Sequence, residues 1–262
     1  MTSKITFSFG KNWMDLNRHI TQEEIDKAIS DLDYWIGKEN IEGKRVLDLG
    51  SGSGIHSLGL FSLGAKELVS FDYDPNSVTA TTEHWTKKSK PSNWHVLHGS
   101  VLDKDFIRSL GQFDLVYSWG VLHHTGSMWE AINNALSMVK PTGLFYLTIY
   151  KDDAYDKSIK LKEKYNAASP TGKKIMENKE ILKIMGKRLL RLKNPFTWNQ
   201  KLERGMNIYH DLVDWMGGLP YEAANEDEML QWGLKNNLQL LRVLCRGNYG
   251  TCNYYLFRKS GV

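Results

Sequence analysis

The run Val46-Leu47-Asp48-Leu49-Gly50-Ser51-Gly52-Ser53-Gly54, with the aspartate at position 72, has the residue types and spacing best suited to holding a ligand. An apolar run that ends in alternating glycines reads as a strand, a tight turn and a helix start. Glycines at 50, 52 and 54 let the backbone approach a bound group closely, because no Cβ intrudes. The helix beginning near Ile55 then aims its first N–H groups at that ligand. Asp72 closes a second apolar run, Leu68-Val69-Ser70-Phe71, and its carboxylate can accept hydrogen bonds from two ribose hydroxyls. A nucleoside-type cofactor site in the first third of the chain follows.

Spacing selects the cofactor. The dinucleotide fingerprint requires Gly-x-Gly-x-x-Gly/Ala, but here the sixth position is Ile55 and the third glycine falls one place early. That counts against an NAD-dependent oxidoreductase. The Gly-x-Gly-x-Gly run behind Leu47-Asp48-Leu49 resembles motif I of the class I S-adenosylmethionine-dependent methyltransferases. The resemblance implies that Asp48, Ser51 and the glycine loop meet the methionine end of S-adenosylmethionine, and that Asp72, followed by Tyr73, holds the ribose.

Later segments match the family in order. Residues 94–103 resemble its third strand and the loop that clamps adenine. Many relatives place an aspartate after the loop glycine, where this chain has Ser100. Ser100, the backbone at Val101 and Leu102, or Asp103 is left to meet the adenine amino group. Phe113 to Ser118 resembles the fourth strand, whose end, Ser118 and Trp119, also borders the cofactor in the resemblance. Lys140-Pro141-Thr142-Gly143 then leads into a fifth strand ending at Tyr150. The likeness covers residues 40–150 well and the closing segment more loosely.

Methyl transfer asks little of a protein beyond alignment, because the sulfonium is already a strong electrophile. Holding the reacting atoms about 3–3.5 Å apart, away from water, lowers the barrier by several kcal/mol. A hydroxyl acceptor gains from a base, and histidine suits neutral pH. His123 and His124 follow the fourth strand, and His210 lies in a later polar, aromatic segment. The candidate base is His123 or His210. Trp13, His124, Tyr209, Asp211, Asp214 and Tyr221 are the candidate acceptor contacts. Lone histidines are more often structural, and Tyr209 to Asp214 can equally be one helix with its acids solvated.

The loop after the fourth strand narrows the chemistry. It reads Ser118-Trp119-Gly120-Val121, without the Asn/Asp-Pro-Pro-Tyr/Phe of exocyclic base-amine methylation. The only cysteines, Cys245 and Cys252, lie far downstream, which removes the nucleophile of pyrimidine C5 methylation. No carboxylate cluster stands out for a metal-assisted mechanism, and no metal is expected. The expectation is O-methylation of a small polar acceptor of phosphate ester, carboxylate or sugar type. N-methylation by positioning alone is the alternative, and a non-catalytic binding protein on the same fold is a third reading. The intact glycine loop and Asp72 argue against the last.

Around these residues the elements alternate strand and helix, which predicts an α/β fold with a doubly wound, mostly parallel seven-stranded sheet. The last strand is expected to be antiparallel, closing a hairpin around residues 246–250. Predicted strands lie at about 45–50, 67–72, 94–98, 113–118 and 143–150. Helices are predicted at about 21–36, 55–63, 75–88, 103–110 and 127–139, with Met128, Ile132, Ala135 and Val139 as one core stripe. The division expected is an N-terminal helical cap (1–38), a cofactor-binding core (39–150), a helical lid (151–220) and a C-terminal helix with the closing hairpin (221–262). Within the cap, residues 7–13 are expected to help read the acceptor, with Phe9, Asn12 and Trp13 folding over the cofactor.

Composition agrees with one globular domain plus insertions: 262 residues, 41% hydrophobic, 24% charged, net charge +4. No apolar run approaches the roughly 20 residues of a membrane span. With two cysteines and no apolar leader, a cytoplasmic protein is expected. Residues 151–204 hold 15 Lys+Arg against 7 Asp+Glu. A solvated basic face is the commoner meaning of such a run; an electropositive wall for an anionic acceptor is the functional one. RNA binding wants interleaved aromatics, and only Phe196 and Trp198 are nearby, so nucleic acid is not expected as a partner.

Overall fold

The computed structural model describes residues 9–18, 20–151, 155–199, 207–245 and 252–261. The expected hairpin turn at 246–250, and residues 7 and 8 of the N-terminal cap, lie outside them. Among these residues seven strands form one sheet: β1 (Arg45–Leu49), β2 (Glu67–Asp72), β3 (Trp94–His98), β4 (Phe113–Ser118), β5 (Val139–Tyr150), β6 (Leu238–Leu244) and β7 (Cys252–Lys259). Their order is β3-β2-β1-β4-β5-β7-β6. β1 to β5 pair in parallel, and β7 runs antiparallel between β5 and β6. Parallel neighbours need crossovers, here supplied by α3 (Ile55–Ser62), α4 (Pro75–Lys87), α5 (Lys104–Leu110) and α6 (Met128–Ser137).

Helix starts follow local chemistry. α1 (Phe9–Asn17) precedes α2 (Gln22–Ile36), where Thr21 and Glu24 close a capping box. Asp74 caps α4 with Pro75 at its first position, and Asp103 caps α5. The sheet is covered on both faces. Leu32 and Ile36 of α2 and Leu58 of α3 pack with Tyr117 and Tyr146 on one face. Ile107, Ile132 and, from α10 (Glu226–Lys235), Met229 and Trp232 pack with Phe71 and Phe145 on the other. A fully buried side chain of this size contributes about 1.5–3 kcal/mol, so these two layers hold the scaffold.

Two expectations change. Val139 is not the last residue of the α6 stripe; it opens β5 opposite Phe113. The Pro141-Thr142-Gly143 turn falls inside that strand as an irregularity, with Thr142 at φ +64°. The insertion between β5 and α10 holds α7 (Tyr155–Ala167), α8 (Pro170–Leu190) and α9 (Ile208–Gly217). For the site, the sheet order matters most. It reverses between β1 and β4, and the crevice above such a reversal is where open α/β sheets bind ligands.

Candidate active site

Backbone torsions build the cofactor cradle. Gly50, Gly52 and Gly54 have φ values of +76°, +54° and +79°, carrying the chain from β1 into α3. A Cβ on Gly50 would lie 2.3 Å from the Val121 side chain, and one on Gly54 2.7 Å from the Thr81 backbone. Gly50 and Ser51 donate to the Phe71 carbonyl at 2.8 and 3.1 Å, tying the loop to the end of β2. Gly52 N–H donates to Asp72 Oδ2 and Asp74 N–H to Asp72 Oδ1, each at 2.9 Å. Asp72 is thereby fixed at the strand mouth, with lone pairs left for ribose hydroxyls.

Burial pushes the Asp72 carboxyl up to about 6. Asp48, fully enclosed in β1, is pushed up to about 7 by burial, opposed by the Ser57 hydroxyl and reinforced by Asp72. The Ser118 hydroxyl is buried without a hydrogen-bond partner. Buried polar atoms are seldom left so. A loop that admits close approach, an orphaned hydroxyl and a fixed carboxylate fit the methionine and ribose portions of S-adenosylmethionine.

The adenine side is partly decided. Tyr73 is exposed and stacks on His98, with ring centroids 6.3 Å apart. Asp103 Oδ1 accepts from the Asp105 and Phe106 N–H groups at 3.0 Å each, so this carboxylate caps α5. Ser100 Oγ accepts from Leu102 N–H at 3.1 Å, and Val101 is buried in the core.

Above the loop lies α1. The Trp13 indole nitrogen is 3.3 Å from where a Gly52 Cβ would stand. Asn17 donates to the Ser53 and Ala80 carbonyls at 3.0 and 3.1 Å, and Gly10 N–H to Asp74 Oδ2 at 2.9 Å. On its other side Asn12 donates to Asp214 Oδ1 at 2.8 Å and to the His210 carbonyl at 3.2 Å. α1 is a strap across the glycine loop, pinned to α4 and to α9.

Beyond the β4 and β5 ends is a second cluster. His123 is fully buried with neither ring nitrogen in a well-formed hydrogen bond. Its ring lies 4.1 Å from that of Tyr150 and 4.5 Å from that of His124. His124 Nδ1 meets the Pro220 carbonyl at 2.7 Å, so Nδ1 carries the hydrogen and Nε2 keeps its lone pair. Tyr221 stands 5.0 Å from Tyr150, centroid to centroid. From α7, Lys162 inserts without exposure and donates to the Trp215 carbonyl. Its ammonium lies 4.7 Å from the Tyr221 ring centroid and 5.3 Å from that of Trp215, whose indole N–H is buried and unpartnered.

Burial brings Lys162 down to about 7, with Asp214 opposing. Burial and the nearby Lys162 lower His124 to about 3. Burial, His124 and Lys162 hold His123 well below the ordinary histidine range, the Thr148 carbonyl opposing. Both imidazoles are neutral at pH 7.

Other expected contacts fall elsewhere. His210 Nδ1 meets Asn207 Oδ1 at 2.7 Å and Nε2 meets Asp15 Oδ2 at 3.1 Å, which makes this ring a clasp between α9 and α1. The Tyr209 hydroxyl accepts from Lys174 at 2.6 Å and donates to Glu177 at 2.8 Å, so it joins α9 to α8 instead of facing the strand ends. Asp211 is exposed. Two features had no sequence signal of their own. One is Lys162, which reads as one lysine among many in a basic segment. The other is a cavity of about 270 Å³ between α2 and the sheet, walled by Trp35, Tyr117, Trp119, Tyr146 and Tyr254.

Comparison with known proteins agrees with the cradle. Residues 40–206 match the methyltransferase-domain family. The chain is 28% identical over 110 residues to a tRNA U34 carboxymethyltransferase of Idiomarina loihiensis, covering 42% of this chain and 33% of that protein. It is 30% identical over 114 residues to a ribosomal protein L11 methyltransferase of Haemophilus ducreyi, covering 44% and 36%. The match thus spans about a third of the length of these curated relatives. Among solved structures, PKMT2 from Rickettsia typhi in complex with AdoHcy is similar at a TM-score of 0.59 and 15% identity, over 85% of this chain and 50% of that one. Magnesium protoporphyrin IX methyltransferase from Synechocystis PCC 6803 with bound SAH gives 0.54 at 14% identity, over 91% and 83%. At such identity these neighbours speak for the fold. Taken with the family match, they lead to one conclusion: the chain belongs to the methyltransferase-domain family, on the fold of the class I S-adenosylmethionine-dependent methyltransferases.

Proposed function

We propose that the chain methylates an oxygen of a small, uncharged, hydroxylated acceptor of sugar type, held between the β4 and β5 ends and the helices α7 and α9. The observation that carries this reading is the neutral His124, whose Nδ1 is committed to Pro220 and whose Nε2 is left as an acceptor. When bound, S-adenosylmethionine supplies the methyl group as an electrophile. The chain's own work is to orient the hydroxyl and take its proton. His124 Nε2 receives that proton, the mutually tilted rings of Tyr150 and Tyr221 give an aromatic wall, and Trp13 with the rest of α1 keeps water from the loop.

The charge around the chamber argues against a phosphate ester or carboxylate. Asp214 acts on Lys162, the one buried lysine there among the described residues, and Glu222 lies near Tyr155. On α8, Lys179 and Lys187 are exposed, Lys174 pairs with Glu177 at 3.0 Å, Lys183 pairs with Glu180 at 2.6 Å, and Lys173 lies over the Tyr165 ring. The named acceptors of the relatives, tRNA and a ribosomal protein, support a macromolecular acceptor as the second reading, and the expectation against nucleic acid gains nothing from them.

The test is transfer of isotope-labelled methyl from S-adenosylmethionine to a panel of sugars, nucleosides, tRNA and ribosomal protein. His124→Ala is expected to lower turnover about 10²–10⁴-fold with cofactor affinity intact. His210→Ala is expected to change it only a few-fold. The reverse ranking, or labelling confined to tRNA or protein, sinks the reading.

A further inference from the structure

Large exposed apolar side chains concentrate on one part of the lid. Ile175, Leu182, Leu189 and Leu190 on α8 are 63%, 66%, 62% and 86% exposed. Leu192 and Phe196 just beyond are 98% and 82% exposed. Ile175, Leu182 and Leu189 recur every seven residues, which places them along one stripe of the helix. Lys179, Lys183 and Lys187, four apart, form an exposed row beside that stripe. Between Pro170 and Lys193 there are 8 basic and 2 acidic residues. Of the two acids, Glu177 is buried and turned to Tyr165 and Tyr209, while Glu180 pairs with Lys183 at 2.6 Å.

We infer that α8 and the segment following it form a face that binds the surface of an anionic phospholipid bilayer. An apolar stripe flanked by lysines suits the boundary between acyl chains and anionic headgroups. A second copy of the chain would bring one lysine row against another, so charge does not favour self-association there. RNA would be met by several stacked aromatics among the basic residues, whereas the α8 stripe is aliphatic and Phe196 is the one large exposed aromatic of this face among the described residues. No described helix is long and apolar enough to cross a membrane, so the contact is with the surface. The helix lies parallel to the bilayer, and α9, packed beside it, brings the acceptor chamber close to that surface.

Flotation of the full chain with phosphatidylcholine vesicles, with and without an equal part of phosphatidylserine, tests the inference. Binding is expected to the anionic vesicles only, and to weaken as salt rises. Leu182→Ser with Leu189→Ser should reduce the bound fraction at least tenfold. Lys179→Gln, Lys183→Gln and Lys187→Gln should each weaken binding about fivefold. Leu234→Ser, exposed on α10, should leave it unchanged. Thermal midpoint and binding of the demethylated cofactor should be unaltered in every variant, which separates failure of this inference from failure of the assigned acceptor site. Three results overturn it: no vesicle binding, RNA binding lost with the lysines but kept in the leucine variants, or a dimer that the leucine variants dissolve.

Discussion

Asp72 shows how one side chain joins the loop, the proposed ribose site and pH. Its two oxygens already hold the Gly52 and Asp74 N–H groups, and burial raises its pKa to about 6. An ionised carboxylate accepts ribose hydroxyls better than a neutral one. Affinity for S-adenosylhomocysteine should therefore rise with pH through about 6 and level off above it. Asp72→Ala should weaken binding by about 1.5–3 kcal/mol. Asp72→Asn should flatten the pH dependence, which calorimetry at several pH values would show. Unchanged affinity in both variants would put the ribose elsewhere. Lys162 sets a second pH dependence. While charged it opposes protonation of His124, so turnover should rise as pH passes about 7 and the ammonium loses its proton. Lys162→Met should remove that step from the pH–rate profile, and a profile still rising near 7 in the variant would exclude Lys162 as its origin.

The elements that carry the chemistry were legible where a residue type has a single physical use. Glycines at positive φ and the Thr21–Glu24 box each announce themselves. The strands from β1 to β4 lie where their apolar runs predict. β5 begins at Val139, ahead of its expected start near 143: a proline–glycine turn reads as a break, whereas the structure absorbs it as an irregularity within the strand. His210 and Tyr209 were misplaced for a different reason: periodicity gives the helix, but not which neighbours claim its polar face. What they claim makes a prediction. Asn12 and Asp15 clasp α9 to α1 through Asp214 and His210. Asn12→Ala with Asp15→Ala should remove about 1 kcal/mol per hydrogen bond from strap closure. Release of S-adenosylhomocysteine should quicken several-fold in stopped-flow traces, with little change in thermal midpoint. An unaltered release rate would mean that the strap does not gate the loop.

Across the whole molecule, stability and function sit in different layers. The sheet and its two helix layers bury most of the large apolar side chains, while Glu177 is the one buried residue of α8. The composition of the insertion showed its basicity, but not that Lys162 turns inward while the α8 lysines turn out. That distinction depends on packing against α9 and the β5 end, which no local pattern encodes. Segments with few buried apolar contacts open at lower free energy than the core. Amide exchange should therefore be slow in β1, β4 and β5 and fast along α8. Adding S-adenosylhomocysteine should slow exchange in the glycine loop, in α1 through Trp13, and in α9 through its clasp with Asn12 and Asp15. Among the described residues no hydrogen bond or ion pair joins α8 to the glycine loop or to α1, so its exchange should stay as it was. Protection spreading evenly to α8 would show that the lid closes as one body, and the strap alone would no longer account for the coupling between cofactor and acceptor sites.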